Sequence, residues 1–363
     1  MKKALVVMAC VASLAGCMRP TDRGQQYVDG RFESILTPVP QVVSESPRDF
    51  SLFNEQLAEV TANSPSLVAE HQAVYQRLQA WLDAGGEIEA LADYGLGVNQ
   101  MAGGDDFGNV MFTGYFSPVI EMRHQPDALF RYPVYAKPPC GDDCPDRAAI
   151  YAGALDGQGL ELGYSASLID SFIMEVQGSG FVHFGDNDQL EYFAYGGKNG
   201  HPYVSIGKVL IERGEVPREK MSLKAIQEWV AAHSKEEVRE LLEQNPSYVF
   251  FTPKAADPVS GTAGIPLKAG ASVAADRRYL PMGSVLLAEV PQLDEQGNWT
   301  GEHVLKLLMA LDTGGAVKEN HLDLYHGMGS EAGEQAGHYK HFGRVWKLDA
   351  LAPQIVSQPS RTR

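Results

Sequence analysis

Two aspartates near the C-terminal end of the 363-residue chain are candidates for a catalytic role. Asp312 directly follows the apolar run LKLLMAL, and Asp323 lies eleven positions later between Leu322 and Leu324. A carboxylate at the end of a core segment needs hydrogen-bond partners, so either aspartate can simply be a structural acceptor of amide hydrogens. Alternation along a strand turns Asp323 to the face opposite both leucines, which makes a purely structural role harder to assign to it.

The chain between these aspartates can reverse its direction. Gly314-Gly315 and Glu319-Asn320 are turn-forming pairs, so the carboxyl groups can lie much closer than the roughly 36 Å that eleven extended residues would span. Burial would then raise the pKa of at least one of them and keep it protonated near neutral pH, as a general acid for glycosidic cleavage requires. Two histidines and a tyrosine lie nearby in the sequence: His321, Tyr325 and His326. The segment therefore predicts acid-assisted sugar chemistry.

A second segment carries groups suited to a polar, uncharged sugar. It runs from EVQGSGFVHFG, residues 175–185, to AYGGKNGHPYVSIGKVLI, residues 194–211. Its glycines would let the backbone approach a ligand, although tight turns with a solvated loop explain them equally well, because a GxG motif is a weak signal. The candidate substrate-binding residues are Gln177, Gly178, Ser179, Lys198, Asn199 and Tyr203, together with Thr313 and Lys318 from the segment between the two aspartates.

Several other chemistries are disfavoured. The net charge of −16 argues against a nucleic-acid partner, since nothing would drive counterion release from phosphates. The histidines near the C-terminus follow no zinc-site spacing, and Ser179 lacks the sequence of a nucleophile elbow. The adjacent pair Asp105 and Asp106 lies in the glycine-rich stretch AGGDDFGN, which is typical of a solvated turn. We expect no metal and no cofactor.

The N-terminus predicts export and a lipid anchor. Two lysines precede an apolar run from Ala4 to Ala15, which is too short for a permanent span of about 20 residues and is typical of a signal peptide. The following Leu-Ala-Gly-Cys resembles a bacterial lipobox, so residues 1–17 are predicted to be a signal peptide ending at lipidated Cys17. Met18 fits sorting to the periplasmic face of the outer membrane, and a plain signal peptide with an incidental Cys17 is the alternative. Residues 18–46 are polar and proline-containing, as in a tether.

Two further cysteines, Cys140 and Cys144, lie in PPCGDDCP. In an oxidising periplasm they could close a small disulfide loop. A zinc pair is the competing interpretation, which the lack of a second Cys/His pair of ligand spacing disfavours.

The elements that must position these groups are of both types. Apolar residues at helical spacing predict a helix from Ser66 to Leu82. Short apolar runs between residues 110 and 212 predict strands, and these runs include FIMEVQGSGFVHFG and YVSIGKVLI. A helical pair follows at 222–245, with Ser234 and Glu237 as a capping box. Strands then return, and the run Leu307–Leu311 is apolar on both faces, as in a central strand. Periodicity alone thus predicts a mixed α+β chain with two β-rich bodies.

A set of long motifs, in order from about residue 110 to 348, carries a resemblance to a known family. The motifs are EVQGSG, YGGKNGHPYVSIGKVLIERGEV, VRELLEQNPSYVFF, SVAADRRYLPMGSVLLAEVP, LMALDTGGAVK, HLDLYHGMGSEAG and YKHFGRVWKL. They resemble the membrane-bound lytic murein transglycosylase A family. The last part resembles its 3D domain, named for three aspartates, which by position are Asp276, Asp312 and Asp323. One departure is Glu319, where the family usually has glycine.

The resemblance implies a fold and an organisation. It implies a double-psi β-barrel formed by residues 47–115 and 248–363, a smaller β-barrel inserted as residues 116–247, and a groove between them for a glycan strand. Peptidoglycan strands are the implied partner, with the membrane reached through the lipid and other cell-wall enzymes as further possible partners.

The resemblance also implies a mechanism. Asp323 would be the acid that protonates the β-1,4 glycosidic oxygen between N-acetylmuramic acid and N-acetylglucosamine, then the base that lets the muramic C6 hydroxyl close a 1,6-anhydro ring, with Asp312 in support. Two alternatives stay open: a hydrolytic muramidase that uses both aspartates, and a non-catalytic peptidoglycan-binding lipoprotein.

Overall fold

The computed structural model of the protein describes residues 23–26, 34–104, 108–141, 144–186, 189–254 and 259–352. The predicted signal peptide with Cys17, residues 18–22 and 27–33 of the predicted tether, and the pair Asp105 and Asp106 lie outside the described residues.

Helices and strands both occur throughout this described part of the chain. The strands are β1 Leu36–Val39, β2 Arg48–Asp49, β3 Leu96–Met101, β4 Val110–Ser117, β5 Val119–Arg123, β6 Tyr132–Tyr135, β7 Glu161–Ser165, β8 Gly180–His183, β9 Glu191–Lys198, β10 Val249–Lys254, β11 Ser272–Ala274, β12 Val285–Leu293, β13 Trp299–Asp312, β14 His321–Met328, β15 Lys340–Gly343 and β16 Val345–Ala350. The helices are α1 Ser51–Asn63, α2 Pro65–Asp83, α3 Arg147–Tyr151, α4 Leu168–Gln177, α5 Ile206–Glu212, α6 Leu223–Ala232, α7 Lys235–Glu243 and α8 Gly329–His338, with 3-10 helices at Ile88–Tyr94 and Arg218–Lys220.

The larger sheet carries the C-terminal strands and the aspartates. Its order is β1-β3-β16-β12-β13-β11-β14-β4-β15, with β2 beside β13. Among the described residues the paired strands form an open series. The sheet nevertheless curves, so that the β15 end of the series comes back toward β12. Strand β15 continues through Arg344 directly into β16, and the Glu289 amide of β12 donates to the Arg344 carbonyl at 2.9 Å.

Strand β13 lies at the centre of this sheet between β12 and β11. The run Leu307–Leu311 is buried throughout, which confirms the prediction of a strand covered on both faces. Leu307, Met309 and Leu311 pack in a hydrophobic cluster with helices α1 and α2, whereas Leu308 and Ala310 pack in a separate cluster on the opposite face.

The second sheet forms a separate body with its own helices. Its order is β10-β9-β8-β5-β7-β6, and the chain passes from the larger sheet into it at Pro118, between β4 and β5. A hydrophobic cluster joins the two bodies, because Ala332 and Ala336 of α8 pack together with Phe172 of α4 and Phe116 of β4. The relative position of the two sheets is therefore set by apolar packing.

Two predicted boundaries need correction. The second domain boundary, placed at residue 248, is wrong because β10 pairs with β9 in the second sheet. The predicted tether extends too far, because β1 pairs with β3, and the hydroxyls of Ser44 and Ser46 donate to Glu289. Strand β1 contains Pro38, which is tolerated because β1 is an edge strand. A polar, proline-containing segment of this kind does not predict a strand from its sequence.

Two predicted strands are helices. FIMEVQ belongs to α4, whose first turn is capped by the Ser167 hydroxyl and whose end is set by Gly178 at φ 81°. IGKVLI belongs to α5, which the Ser205 hydroxyl caps in the same way. Short apolar runs rich in Ile and Val do not separate a buried strand from a buried helix, so the capping residues were the better signal.

The other helix predictions are confirmed. Helix α2 spans Pro65–Asp83 and buries Val74, Leu78 and Trp81. Helix α7 has both halves of the Ser234 and Glu237 capping box. The sequence analysis predicts no helix at α1, α3 or α8.

Candidate active site

The two aspartates lie in one row across the larger sheet. Ala274 of β11 is the register partner of Asp312 on β13 and also of Asp323 on β14. Asp323 in turn pairs with Thr113 on β4. Two strand spacings of about 4.8 Å separate the backbones of Asp312 and Asp323, so they lie about 10 Å apart. Ala274, which lies between the two aspartates in this row, is buried and contributes only a methyl group.

Asp323 is packed among neighbouring side chains, while part of its surface still meets solvent. Its Oδ1 accepts a hydrogen bond from the Thr113 hydroxyl at 2.6 Å. Burial raises the pKa of Asp323 to about 6; the Thr113 hydrogen bond opposes this rise, and the charge of Asp312 adds to it. A substantial fraction of the carboxyl group is therefore protonated under mildly acidic conditions.

Asp312 has a different environment, rich in hydrogen-bond donors. Its Oδ1 accepts from the Thr262 amide at 2.8 Å, the Thr262 hydroxyl at 2.6 Å and the Thr313 amide at 2.8 Å. Its Oδ2 accepts from the Tyr115 hydroxyl at 3.1 Å. These donors fix the orientation of the Asp312 carboxylate and occupy both of its oxygens.

Asp276 holds the loop that connects the other two aspartates. Its carboxylate accepts from the Arg278 guanidinium and, through Oδ2, from the Glu319 amide at 2.9 Å. The Arg278 hydrogen bond is the main reason that the pKa of Asp276 is well below its usual range. Glu319 has φ 53°, which lies in the left-handed region that favours glycine. This backbone conformation explains why glycine suits the position.

Two tyrosines complete the same face of the sheet. The rings of Tyr115 and Tyr325 lie 5.2 Å apart, and the Tyr325 hydroxyl is 3.1 Å from the Ser117 hydroxyl. Burial raises the pKa of Tyr325 to about 12 and raises that of Tyr115 well above its usual value. Both groups therefore remain neutral donors at physiological pH.

Sequence reasoning missed Thr113, Tyr115 and Thr262. Each lies far along the chain from the aspartate that it contacts: Thr113 and Tyr115 are brought in by the pairing of β4 with β14, and Thr262 by the loop before β11. The single available signal was the spacing of Thr113 and Tyr115, two residues apart in a strand, which places them on one face.

The candidate residues after α4 lie where the two sheets join. The Gln177 Oε1 accepts from the Phe116 amide of β4 at 3.2 Å. Gly178 ends α4, and Ser179 is partly exposed before β8. This segment is therefore connected to the strand that carries Thr113.

The candidate residues after β9 are in contrasting environments. Asn199 is buried, and its side-chain amide donates to the carbonyls of Pro145 and Pro246 and accepts from the Tyr248 amide. All of its hydrogen-bonding groups thus serve the local backbone. Lys198 and Tyr203 are exposed, Tyr203 by 53%, and are available to a ligand.

The candidates between the aspartates lie close to the row. The Thr313 hydroxyl is 2.9 Å from that of Thr262, next to Asp312. Lys318 is exposed in the loop that Asp276 holds.

Cys140 and Cys144 are joined by a disulfide, with Cα atoms 4.8 Å apart. The Cys144 carbonyl lies 2.8 Å from Nε2 of His201. The bridged loop therefore supports the segment after β9.

The described residues include no group of three or more His, Cys, Asp or Glu side chains arranged to hold a metal ion. None of the helices in the described ranges has the length and apolar character needed to cross a membrane.

Comparisons with known proteins agree with this architecture. Residues 111–252 match the family described as MltA specific insert domain, and residues 271–349 match the 3D domain. The chain is 61% identical over 349 residues to membrane-bound lytic murein transglycosylase A of Vibrio cholerae, covering 96% of this chain and 95% of that protein. This chain belongs to the lytic murein transglycosylase A family. The resemblance inferred from the motifs is confirmed.

Further members extend the comparison. The protein of the same name from Escherichia coli K12 is 51% identical, with 95% of each chain covered. The crystal structure of E. coli MltA with bound chitohexaose superimposes with a TM-score of 0.86 at 50% identity, covering 92% of this chain and all of that chain. The fold is thus that of the family, built from mixed sheets and helices.

Proposed function

We propose that this protein is a lytic transglycosylase that cleaves peptidoglycan glycan strands. The observation that carries the proposal is the partly exposed Asp323 carboxyl group, whose pKa is raised to about 6 by burial. A general acid works best when its pKa lies near the working pH. The relatives named as lytic murein transglycosylases support the choice of substrate.

In the first step, protonated Asp323 donates its proton to the β-1,4 glycosidic oxygen between N-acetylmuramic acid and N-acetylglucosamine, and the bond between that oxygen and muramic C1 breaks. In the second, the resulting carboxylate takes the proton of the muramic C6 hydroxyl, whose oxygen bonds to C1 and closes a 1,6-anhydro ring. The same group serves as acid and then as base, and no water is consumed. The leaving sugar keeps the first proton, and Asp323 recovers the second, so the enzyme returns to its starting state.

The environment of Asp312 supports the assignment of a single catalytic carboxyl group. A hydrolase of the usual kind needs a second carboxylate, about 5 to 9.5 Å away across the bond, that is free to attack C1 or to activate water. Both oxygens of Asp312 are instead engaged by Thr262, Thr313 and Tyr115. We infer that Asp312 acts on Asp323 through its charge, which favours the protonated acid.

We propose that the glycan strand lies along the row and continues toward the inserted sheet. The chitohexaose bound to the E. coli relative supports this placement. The candidate contacts are Gln177, Gly178, Ser179, Lys198, Tyr203, Thr313 and Lys318. We propose only an indirect role for Asn199, which holds the backbone of the loop after β9.

We also propose that Cys17 carries a lipid that anchors the protein at the periplasmic face of the outer membrane. The N-terminal apolar run, the Leu-Ala-Gly-Cys motif and Met18 support this placement. Metabolic labelling with a radioactive fatty acid tests it: label should enter the protein and be absent from a Cys17→Ala variant.

The catalytic assignment is tested with Asp323→Asn, which keeps the shape and the Thr113 hydrogen bond but cannot donate and recover a proton. Release of soluble fragments from purified sacculi should fall at least about 100-fold, the usual contribution of a general acid. Asp93→Asn, at an exposed position, is the matched control and should retain full turnover. Wild-type turnover by the Asp323 variant would refute the assignment.

A further inference from the structure

A chain of hydrogen bonds leads from Asp323 to a second titratable residue. The Thr113 hydroxyl donates to Asp323 Oδ1 at 2.6 Å and also lies 2.7 Å from Nε2 of His321. His321 and Asp323 are two residues apart on β14, and Thr113 is on the neighbouring strand β4. All three side chains are therefore on one face of the sheet.

The single hydrogen of a threonine hydroxyl decides the direction of this chain. Because Thr113 gives its hydrogen to Asp323, its oxygen can only accept from His321, so Nε2 must carry a hydrogen. Burial lowers the pKa of His321, which favours the neutral ring, a form with one hydrogen to give. The Ala316 carbonyl is a competing acceptor for that hydrogen, which makes the choice of tautomer a property that can be tested.

We infer that His321 is a positioning residue for the acid–base step, which orients the Thr113 hydroxyl and thereby decides which oxygen of Asp323 carries the catalytic proton. With Oδ1 occupied as an acceptor, the proton of the neutral carboxyl group lies on Oδ2. Within the described residues Oδ2 has no hydrogen-bond partner, and it is the oxygen left for a substrate. This inference rests on the proposed function only for the use of that proton.

Other groups that face Asp323 act by charge or by shape. Asp312 on β13 contributes the one charge that shifts Asp323 appreciably. Tyr115 on β4 and Tyr325 on β14 are neutral, Ala274 on β11 carries no charge, and exposed Lys340 on β15 lies opposite Thr113 in register. None of these groups replaces the hydrogen that His321 supplies to the Thr113 oxygen.

The test is a double-mutant cycle in which the measured quantity is the pKa of Asp323. Carbon NMR of the aspartate carboxyl groups in the full chain measures this pKa. Thr113→Val removes the donor to Asp323 and should raise that pKa by about one unit. His321→Phe should raise it by about half a unit because the hydroxyl loses its polarising partner. In the Thr113→Val background His321→Phe should add nothing, since the connection is already broken.

Conservative variants separate positioning from folding. Thr113→Ser keeps the hydroxyl, and His321→Gln keeps an N–H donor, so both should leave the pKa of Asp323 within about 0.2 units of wild type. The inference fails if His321→Phe leaves this pKa unchanged, or lowers it, which would mean that the ring takes the Thr113 hydrogen. It also fails if the His321→Phe shift persists without the hydroxyl. The titration needs no turnover, so this failure is distinct from an absence of murein cleavage by the wild-type protein.

Discussion

At the scale of single residues, the central feature is a carboxyl group that folding makes harder to ionise. The pKa of Asp323 is about 6, compared with an ordinary value of 3.8, mainly because the group is surrounded by other atoms. The folded protein therefore binds a proton at Asp323 more tightly than the unfolded chain does. The contribution of this group to stability is fully present below the unfolded pKa and is lost as the pH rises through about 6.

This linkage predicts that Asp323→Asn stabilises the protein at high pH. The gain in free energy of unfolding should be near zero at pH 4 and approach about 2 kcal/mol at pH 8, because the amide avoids the cost of a buried charge. Thermal unfolding at several pH values measures it. Asp93→Asn at an exposed position should show no such trend, and a pH-independent gain for Asp323→Asn would contradict the raised pKa.

Glu319 illustrates a residue-scale departure from the family pattern. Its φ of 53° costs a non-glycine residue about 1 kcal/mol. Glu319→Gly should therefore raise the free energy of unfolding by about 0.5 kcal/mol or more, since backbone strain is relieved while the amide still donates to Asp276. The neighbouring Lys318→Gly, at a position without a positive φ, should lower it. Chemical denaturation compares the two, and equal effects would contradict the account.

At the scale of elements, the end of α4 places the substrate-binding candidates that follow it. Gly178 terminates this helix at φ 81°, where an added Cβ would meet no atom within 4 Å. Gly180 has ordinary φ, but its Cβ would lie 2.7 Å from Met174 and 3.0 Å from the Pro118 carbonyl. The two glycines are thus required for different physical reasons, one for backbone conformation and the other for space.

This difference predicts the effects of two alanine substitutions. Gly178→Ala should destabilise the protein by about 1 kcal/mol through strain alone, without displacing neighbours. Gly180→Ala should cost about 1 to 3 kcal/mol by overpacking and should also impair cleavage, because Pro118 connects β4 to the inserted sheet. Denaturation and a sacculus-digestion assay measure both effects, and a larger loss for Gly178→Ala would contradict this assignment.

The elements also show what local sequence could and could not predict. The capping box of α7 and the apolar stripe of α2 were predictable because their signals lie within a few residues. The Ile- and Val-rich runs of α4 and α5 predict strands, although such runs fit either structure. Their Ser caps, Ser167 and Ser205, together with Gly178, carried the correct signal.

At the scale of the whole molecule, the site is assembled by strand register. Thr113, Ala274, Asp312 and Asp323 come from four strands and lie in one row. The sequence predicted both aspartates, because they interrupt apolar strands, and the long motifs indicated the family. It could not predict the Thr113 and Tyr115 contacts, because residues about 200 positions apart meet only through sheet order.

The domain boundaries depend on the same long-range pairing. Strand β10 follows the helical pair and precedes the 3D region, so sequence order alone assigns it to the catalytic body, although it pairs with β9. The inserted sheet thus includes β10 as well as β5 to β9. This arrangement places Gln177, which contacts β4, at the junction of the two sheets.

The most direct test of the account is the chemical identity of the sugar ends that the wild-type protein releases from purified sacculi. Mass spectrometry of the soluble fragments should find muramic acid ends that carry an internal 1,6-anhydro bridge and have gained no water. Such ends require a carboxyl group that gives a proton and takes one back, as proposed for Asp323. Ordinary reducing ends, each heavier by one water, would contradict the central claim and would indicate hydrolysis.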